Sequence, residues 1–316
     1  MIIPILLLIV GLVILVGGAE YLVRGASSMA KRLGISTIVI GLTIVAFGTS
    51  APELIVNILS AAKGATDLAV GNVVGSNLAN ILLILGIGAT MAPLAVKKGT
   101  TFKEIPFALL AIVMVVIMGN DVFFDGVMSN SLSRIDGIIL LSFFVIFIYY
   151  TYGISKVEGE AENITLYPWS TSISMLVIGI AGLTVGGKVI VDSAITLATL
   201  AHLDEALIGL TIVAIGTSLP ELATTIVAVK KKNVDLAIGN AIGSNIFNVF
   251  LVLGVSSTIR PLPFDVNVNT DVLFTTGATL LLFIWMFIGE KHKLQRWQGA
   301  IFLLIYVGYI TYAIVR

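Results

Sequence analysis

The sequence predicts an all-α integral membrane protein of ten transmembrane helices, built as two inverted five-helix repeats with broken helices at the midplane. Three observations carry that reading. Apolar residues make up 58% of the 316-residue chain and charged residues only 11%, against roughly 25% charged in soluble domains. Apolar runs of about 20 residues, each enough to cross a bilayer core, recur along the whole length. Two long motifs occur twice at one fixed spacing.

The spans follow from the runs. Charged or turn-forming residues separate stretches centred in 2–23, 36–61, 67–92, 104–119, 134–152, 169–191, 205–229, 235–257, 270–289 and 297–315. The first run lacks a basic leader and a clear cleavage site, so it reads as a span and not as a signal peptide. An even number of spans puts both termini on one side, and Lys and Arg decide which. With the N-terminus outside, the cytoplasmic loops collect Arg24, Lys31, Arg32, Lys97, Lys98, Lys103, Lys156, Lys230, Lys231, Lys232, Lys291, Lys293 and Arg296. The outer loops keep Lys63, Arg134, Arg260 and Arg316. That bias places the chain in the cell membrane with both termini extracellular. The acidic stretch 154–168, with Glu158, Glu160 and Glu162, reads as a solvated cytoplasmic linker between repeats 1–153 and 169–316.

Composition also excludes. Zero net charge argues against nucleic acid. The absence of cysteine removes thiolate metal sites, iron–sulfur clusters and disulfides. The lipid bilayer is the expected partner, and no obligatory protein partner or cofactor is expected.

Residues 40–54, IGLTIVAFGTSAPEL, match 208–222, IGLTIVAIGTSLPEL, at thirteen of fifteen positions. Residues 67–86 match 235–254 at twelve of twenty, at the same offset of 168. A fixed period with this identity marks a duplicated unit. Five spans per unit is odd, so the second unit must enter the membrane inverted, as in secondary transporters whose site lies where the repeats meet. Arg24 on the cytoplasmic side has Asp192 as its outer counterpart, in keeping with inversion. The repeated glycines Gly71/Gly75 and Gly239/Gly243 suit close helix packing, but packing does not explain why the polar residues repeat.

Those polar residues are Glu53 and Glu221, deep in the second and seventh spans. A charge near the bilayer centre costs at least about 2.5–3.5 kcal/mol and needs a partner. Lys188, the basic residue inside a span, falls too near an outer end to serve both. Bound cations remain. Thr49 and Ser50 share a helix face with Glu53, and Thr217 and Ser218 share one with Glu221. Pro52 and Pro220 interrupt the helices, freeing carbonyls near Ala46 to Gly48 and Ala214 to Gly216. Asn72, Ser76 and Asn80 form a second polar stripe, mirrored by Asn240, Ser244 and Asn248. Lone asparagines in membranes are usually helix glue. Beside two mirrored glutamates, the Ser76/Asn80 and Ser244/Asn248 pairs read as ligands. Carboxylate, hydroxyl, amide and carbonyl oxygens suit calcium, sodium, magnesium or manganese, not zinc or copper. Two carboxylates neutralise one divalent ion, and the same oxygens could hold sodium ions in competition.

At these residues the sequence resembles the calcium/cation antiporter superfamily, most closely its prokaryotic sodium/calcium exchangers. The motifs are GTSAPE (48–53) with GNVVGSNLAN (71–80), and GTSLPE (216–221) with GNAIGSNIFN (239–248). The resemblance covers nearly the whole chain. It implies that Ca2+ and Na+ are the transported ions. It also implies ligands at Thr49, Ser50, Glu53, Ser76 and Asn80, then Thr217, Ser218, Glu221, Ser244 and Asn248, with carbonyls of Ala46 and Ala214. It further implies alternating access, the first and sixth spans sliding against a rigid core, and more than two sodium ions per calcium, which makes exchange electrogenic. Some relatives, potassium-dependent ones among them, carry aspartate at the position of Asn248; asparagine here argues for potassium independence. The calcium-sensing domain of animal exchangers is missing from the central linker.

Three rival readings remain. Proton/calcium antiporters usually show a GNA-x-E type motif where this chain has GTS-x-PE, whose hydroxyls serve sodium and are not needed by a proton. An intramembrane enzyme with Ser50 or Ser218 as nucleophile needs an adjacent base, and His202 and His292 fall in or near loops on opposite sides. A channel draws selectivity from rings around a symmetry axis, which an inverted duplication does not supply.

Overall fold

The computed structural model describes residues 2–124, 126, 129–155, 164–200, 214–264 and 266–315. It is helical apart from two short strand pairs. The helices are α1 Ile2–Leu33, α2 Thr37–Thr49, α3 Ala51–Lys63, α4 Leu68–Met91, α5 Lys98–Met118 and α6 Arg134–Ser155. They continue as α7 Trp169–Leu200, α8 Ala214–Thr217, α9 Leu219–Lys230, α10 Val234–Ile259, α11 Val266–Trp285 and α12 Arg296–Val315. A further single turn covers Asp121–Phe124.

Among the described residues eight helices are long and apolar enough to cross a membrane, nine when the bent pair α2–α3 is counted as one span. This is a multi-pass membrane protein. The expected seventh span, 205–229, falls partly on residues 201–213, outside the described residues, and α8 and α9 are its remainder. His202, part of the central linker and Ala214's side chain likewise lie outside them.

Burial sorts the helices into an inner and an outer set. In their most apolar stretches α10 is 94% buried and α4 72%, but α1 only 22% and α7 33%. The middle of the molecule is therefore α4 and α10. The large apolar side chains that α1 and α7 leave exposed, Ile3, Leu6, Val13, Val177 and Ile178 among them, suit contact with lipid.

Glycine allows two close helix approaches that frame the site. A Cβ on Gly18 of α1 would come within 2.7 Å of the Leu183 amide, and one on Gly179 of α7 within 2.6 Å of the Leu22 amide. Gly11 lies against Gly186, and Gly25 against Ser172. The partner numbers fall as the first numbers rise, so α1 and α7 pack antiparallel along their length. Small residues let backbones meet this way and gain dispersion contact. In the centre, Gly239 and Gly243 of α10 sit on Ile38 and Leu42 of α2, where a Cβ would come within 2.7–2.8 Å.

Two ladders tie the ends of the core helices. Strand β1 (Leu94–Ala95) pairs antiparallel with β4 (Lys293–Leu294), and β2 (Ser131–Leu132) with β3 (Leu262–Pro263). They join the loop after α4 to the start of α12, and the start of α6 to the loop after α10.

Two expected boundaries move. The first and sixth spans end at 23 and 191 in the sequence reading, yet α1 runs to Leu33 and α7 to Leu200. Charge ends an apolar run without ending a helix. Glu20 and Arg24 pair across one turn at 2.5 Å, as do Lys188 and Asp192 at 3.1 Å. Such i,i+4 pairs support the helix they sit on. Backbone geometry stops α1 instead, at Gly34 with φ +68. Lys188 is 75% exposed and pairs with Asp192, so it is no partner for the buried glutamates.

Candidate cation site

Each buried glutamate opens a helix just after a break. Between α2 and α3 the axis bends by 46° at Ser50, whose φ −84 and ψ 5 lie outside the helical range. Between α8 and α9, Ser218 takes φ −86 and ψ 2. Pro52 and Pro220 sit in the first turn that follows, where a missing N–H costs nothing. Glu53 and Glu221 come next, 0% and 1% exposed. Each therefore stands at a helix N-terminus, whose free amides favour an anion, and beside the C-terminal carbonyls of the preceding helix, which favour a cation.

Hydroxyls connect the two carboxyl groups. Ser50 Oγ donates to Glu221 Oε1 at 3.1 Å, so the first break reaches the second glutamate. Ser244 Oγ donates to the same oxygen at 3.4 Å. Ser76 Oγ donates to Glu53 Oε1 at 3.3 Å and accepts from Ser218 Oγ at 3.3 Å. Thr49 and Thr217 stand in the same layer, 3.4 Å from Ser244 and 3.5 Å from Ser76. The upper residues of the two stripes hold these threonines. Thr49 Oγ1 donates to Asn240 Oδ1 at 3.0 Å, and Thr217 Oγ1 to Asn72 Oδ1 at 3.2 Å.

The lower ends of the stripes meet each other. Asn80 Nδ2 donates to Asn245 Oδ1 at 2.9 Å, and Asn248 Nδ2 to Asn77 Oδ1 at 3.0 Å. Asn77 and Asn245 each donate their own Nδ2 to the other's backbone carbonyl at 3.3 Å. Widened π-helical turns occupy Ala79–Ile84 and Asn248–Leu253, and a third covers Gly41–Val45 just before Ala46. Such turns are frequent at functional sites because they re-aim side chains.

Four buried oxygens in this region have no hydrogen-bond partner among the described residues: Glu53 Oε2, Glu221 Oε2, Asn80 Oδ1 and Asn248 Oδ1. Buried polar atoms left unpaired are costly, and four acceptors without a donor form a set that a cation completes. Among the described residues no three of His, Cys, Asp and Glu cluster. The charge is thus two carboxyl groups, and the remaining donors are neutral oxygens, the chemistry of calcium and sodium.

The structure brings Thr49, Ser50, Glu53, Ser76, Asn80, Thr217, Ser218, Glu221, Ser244 and Asn248 into one buried region. Ala46 and Ala214 differ. The Ala46 carbonyl, expected to be free, accepts the Ser50 amide at 2.9 Å and lies 3.3 Å from Thr49 Oγ1. The proline removes the bond to the carbonyl four residues back, which is that of Gly48. Ala214 opens α8. His292, considered as a base, lies in the loop before α12 and bonds Thr101 of α5. The sequence reading missed Asn77 and Asn245. Their signal was present, since both are the asparagine of a repeated GSN, but one residue off the stripe they point at the facing helix.

The sequence pattern of the family described as sodium/calcium exchanger protein matches residues 3–153 and 171–315. The chain belongs to the sodium/calcium exchanger family. Its relatives include CaxA of Alkalimonas amylolytica, proposed as an antiporter, which is 39% identical with 98% of each chain covered. The sodium/calcium exchanger MaX1 of Methanosarcina acetivorans is 31% identical with 97% of each chain covered. Among solved structures, the sodium-calcium exchanger NCX_Mj soaked with 10 mM Na+ and zero Ca2+ superposes with a TM-score of 0.86 at 33% identity, covering 98% of each chain. The exchanger family is one of transporters and not of enzymes, so Ser50 and Ser218 belong to an ion-transport protein.

Proposed function

We propose that this protein is a sodium/calcium antiporter that carries Ca2+ in one direction and Na+ in the other by alternating access. One observation carries the reading most: two repeat-equivalent glutamates, buried at two helix breaks, accept from serine hydroxyls, one of which crosses from the first half to the second. The ions are held by Glu53, Glu221, Thr49, Thr217, Ser50, Ser218, Ser76, Ser244, Asn80 and Asn248, with the carbonyls of Ala46 and Ala214. The relatives MaX1 and NCX_Mj, named as sodium/calcium exchangers, support the choice of ions.

The architecture in this proposal is ten spans in two inverted repeats, 1–153 and 169–316, joined by a cytoplasmic linker at 154–168, with both termini outside. The family match in two parts supports the division, and the antiparallel packing of α1 and α7 supports the inversion. Exchange is electrogenic, because the family resemblance implies more than two sodium ions per calcium, and it is independent of potassium, since Asn80 and Asn248 add oxygen but no third charge.

The test is flux into proteoliposomes. An outward sodium gradient drives uptake of radioactive calcium, and uptake rises when an inside-positive potential moves with the net outward positive charge. Uptake driven by a pH gradient and indifferent to sodium would replace sodium with the proton as the counter-ion.

A further inference from the structure

We infer that Asn77 and Asn245 are positioning residues that fix which atom Asn80 and Asn248 present to the transported cation. The inference rests on the proposed cation site and adds to it two residues that touch no ion.

An asparagine amide carries an oxygen that accepts and a nitrogen that donates, and it can turn over at little cost in shape. For a cation ligand the difference is decisive, because the oxygen attracts the ion and the N–H2 repels it. Something must set the orientation, and the lone candidate atom that cannot itself turn is a backbone carbonyl, which only accepts.

The Asn77 carbonyl lies 3.3 Å from the Asn245 side chain, so the atom facing it must be Nδ2. That turns Asn245 Oδ1 toward Asn80, 2.9 Å away. An acceptor there requires a donor, so Asn80 presents Nδ2 to Asn245 and keeps Oδ1 on its other side. The same steps run from the Asn245 carbonyl through Asn77 to Asn248, at 3.3 and 3.0 Å. Two carbonyls thereby set the polarity of four amides. All polar atoms of the Asn77 and Asn245 side chains are paired, while Asn80 Oδ1 and Asn248 Oδ1 are the buried oxygens left over. The four side chains are at most 4% exposed, so water does not compete for these bonds.

The arrangement also crosses the repeats. Asn80 of the first half is aimed by Asn245 of the second, and Asn248 by Asn77 of the first. Neither half can aim its own amide, so the two oxygens are correctly turned when α4 and α10 are in register. This is the same logic by which outer-shell partners of metal ligands lock ligand orientation, at about 10–100-fold in affinity each.

Double-mutant cycles separate positioning from general packing. The readout is equilibrium binding of radioactive calcium to detergent-purified protein, with displacement by sodium and a thermal melt for each variant. Asn245→Ala is expected to raise the half-saturating calcium concentration by about tenfold, within the range for orienting partners. In an Asn80→Ala background the same change should have less than about a twofold effect, because the residue it aims is gone. In an Asn248→Ala background it should keep its full effect. Asn77→Ala should show the opposite pattern. Where Asn245→Ala does not yield folded protein, Asn245→Leu keeps the volume and takes its place.

An Asn245 effect that is equal in all three backgrounds, or none in any, overturns the inference while leaving cation binding by the wild type intact. Wild-type protein that binds no calcium, or calcium that sodium does not displace, would instead remove the proposed function and this inference with it.

Discussion

The two halves of the site have nearly the same sequence and unequal surroundings. Glu221 Oε1 accepts from two serines, Ser50 and Ser244. Glu53 Oε1 accepts from Ser76, and Ser218, the counterpart of Ser50, donates to Ser76 instead. The asparagines behind the threonines have different neighbours too. Asn72 donates to Asn57 Oδ1 at 2.9 Å, while Asn240 faces Thr225 Oγ1 at 3.4 Å and the Glu221 carbonyl at 3.3 Å. The lower layer, by contrast, is matched bond for bond within 0.1 Å between the Asn80–Asn245 and Asn248–Asn77 pairs. The same residue types in two settings mean that sequence alone does not set the local geometry; the relative placement of the broken helices does. Under the proposed alternating access, the protein occupies one of two repeat-related states at a time, and the halves are then unequal in each state. In the proposed cycle the matched asparagine layer is assigned to the part that stays fixed.

The largest effect tests what the halves have in common. Glu53→Gln and Glu221→Gln are each expected to lower exchange by more than about 100-fold, since removing one member of a compensated buried charge set costs about 3–5 kcal/mol. Radioactive calcium uptake into proteoliposomes measures it, with a thermal melt to show that the fold survives. Near-normal flux in either variant would leave a single glutamate carrying the ion and end the two-carboxylate site.

The next effect tests where they differ. Ser50→Ala removes a bond to a carboxylate and Ser218→Ala a bond to another hydroxyl. Hydrogen bonds to charged groups contribute about 1.5–3 kcal/mol and neutral ones about 0.5–1.5. Ser50→Ala should therefore weaken calcium binding by about tenfold and Ser218→Ala by about threefold. Equal losses would mean that the unequal bonding seen here is averaged away by exchange between states.

The core of this comparison was legible in the sequence. The duplication located both glutamates, both prolines and the two stripes, because buried polar residues are costly and their repetition is informative. What stayed hidden was of three kinds. Helix length at α1 and α7 was misjudged because Arg24 and Asp192 end an apolar run while pairing with Glu20 and Lys188 one turn away on the same helix. The crossed bond from Ser50 to Glu221 depends on how two halves dock, which no local spacing encodes. Asn77 and Asn245 lie off the i, i+4 stripe, and their task is visible only with the facing helix in place.

The smallest effect tests whether the asparagine layer is as even as its distances. Asn248→Asp adds a carboxylate and deletes the donor that meets Asn77 Oδ1 at 3.0 Å. Asn77 cannot turn to help, because its Nδ2 is held by the Asn245 carbonyl. Two acceptors then face each other, which costs about 1–3 kcal/mol and offsets much of what the new charge gains with a cation. Asn80→Asp meets the same obstacle in Asn245, whose Nδ2 is held by the Asn77 carbonyl. Both variants should therefore change the sodium dependence of calcium uptake modestly, by about threefold, and by the same amount. Uptake measured across a sodium series, with and without potassium, supplies both numbers. A potassium requirement appearing in Asn248→Asp but not in Asn80→Asp would show that the fixed layer also takes sides, and that the asymmetry of the upper layer extends through the whole site.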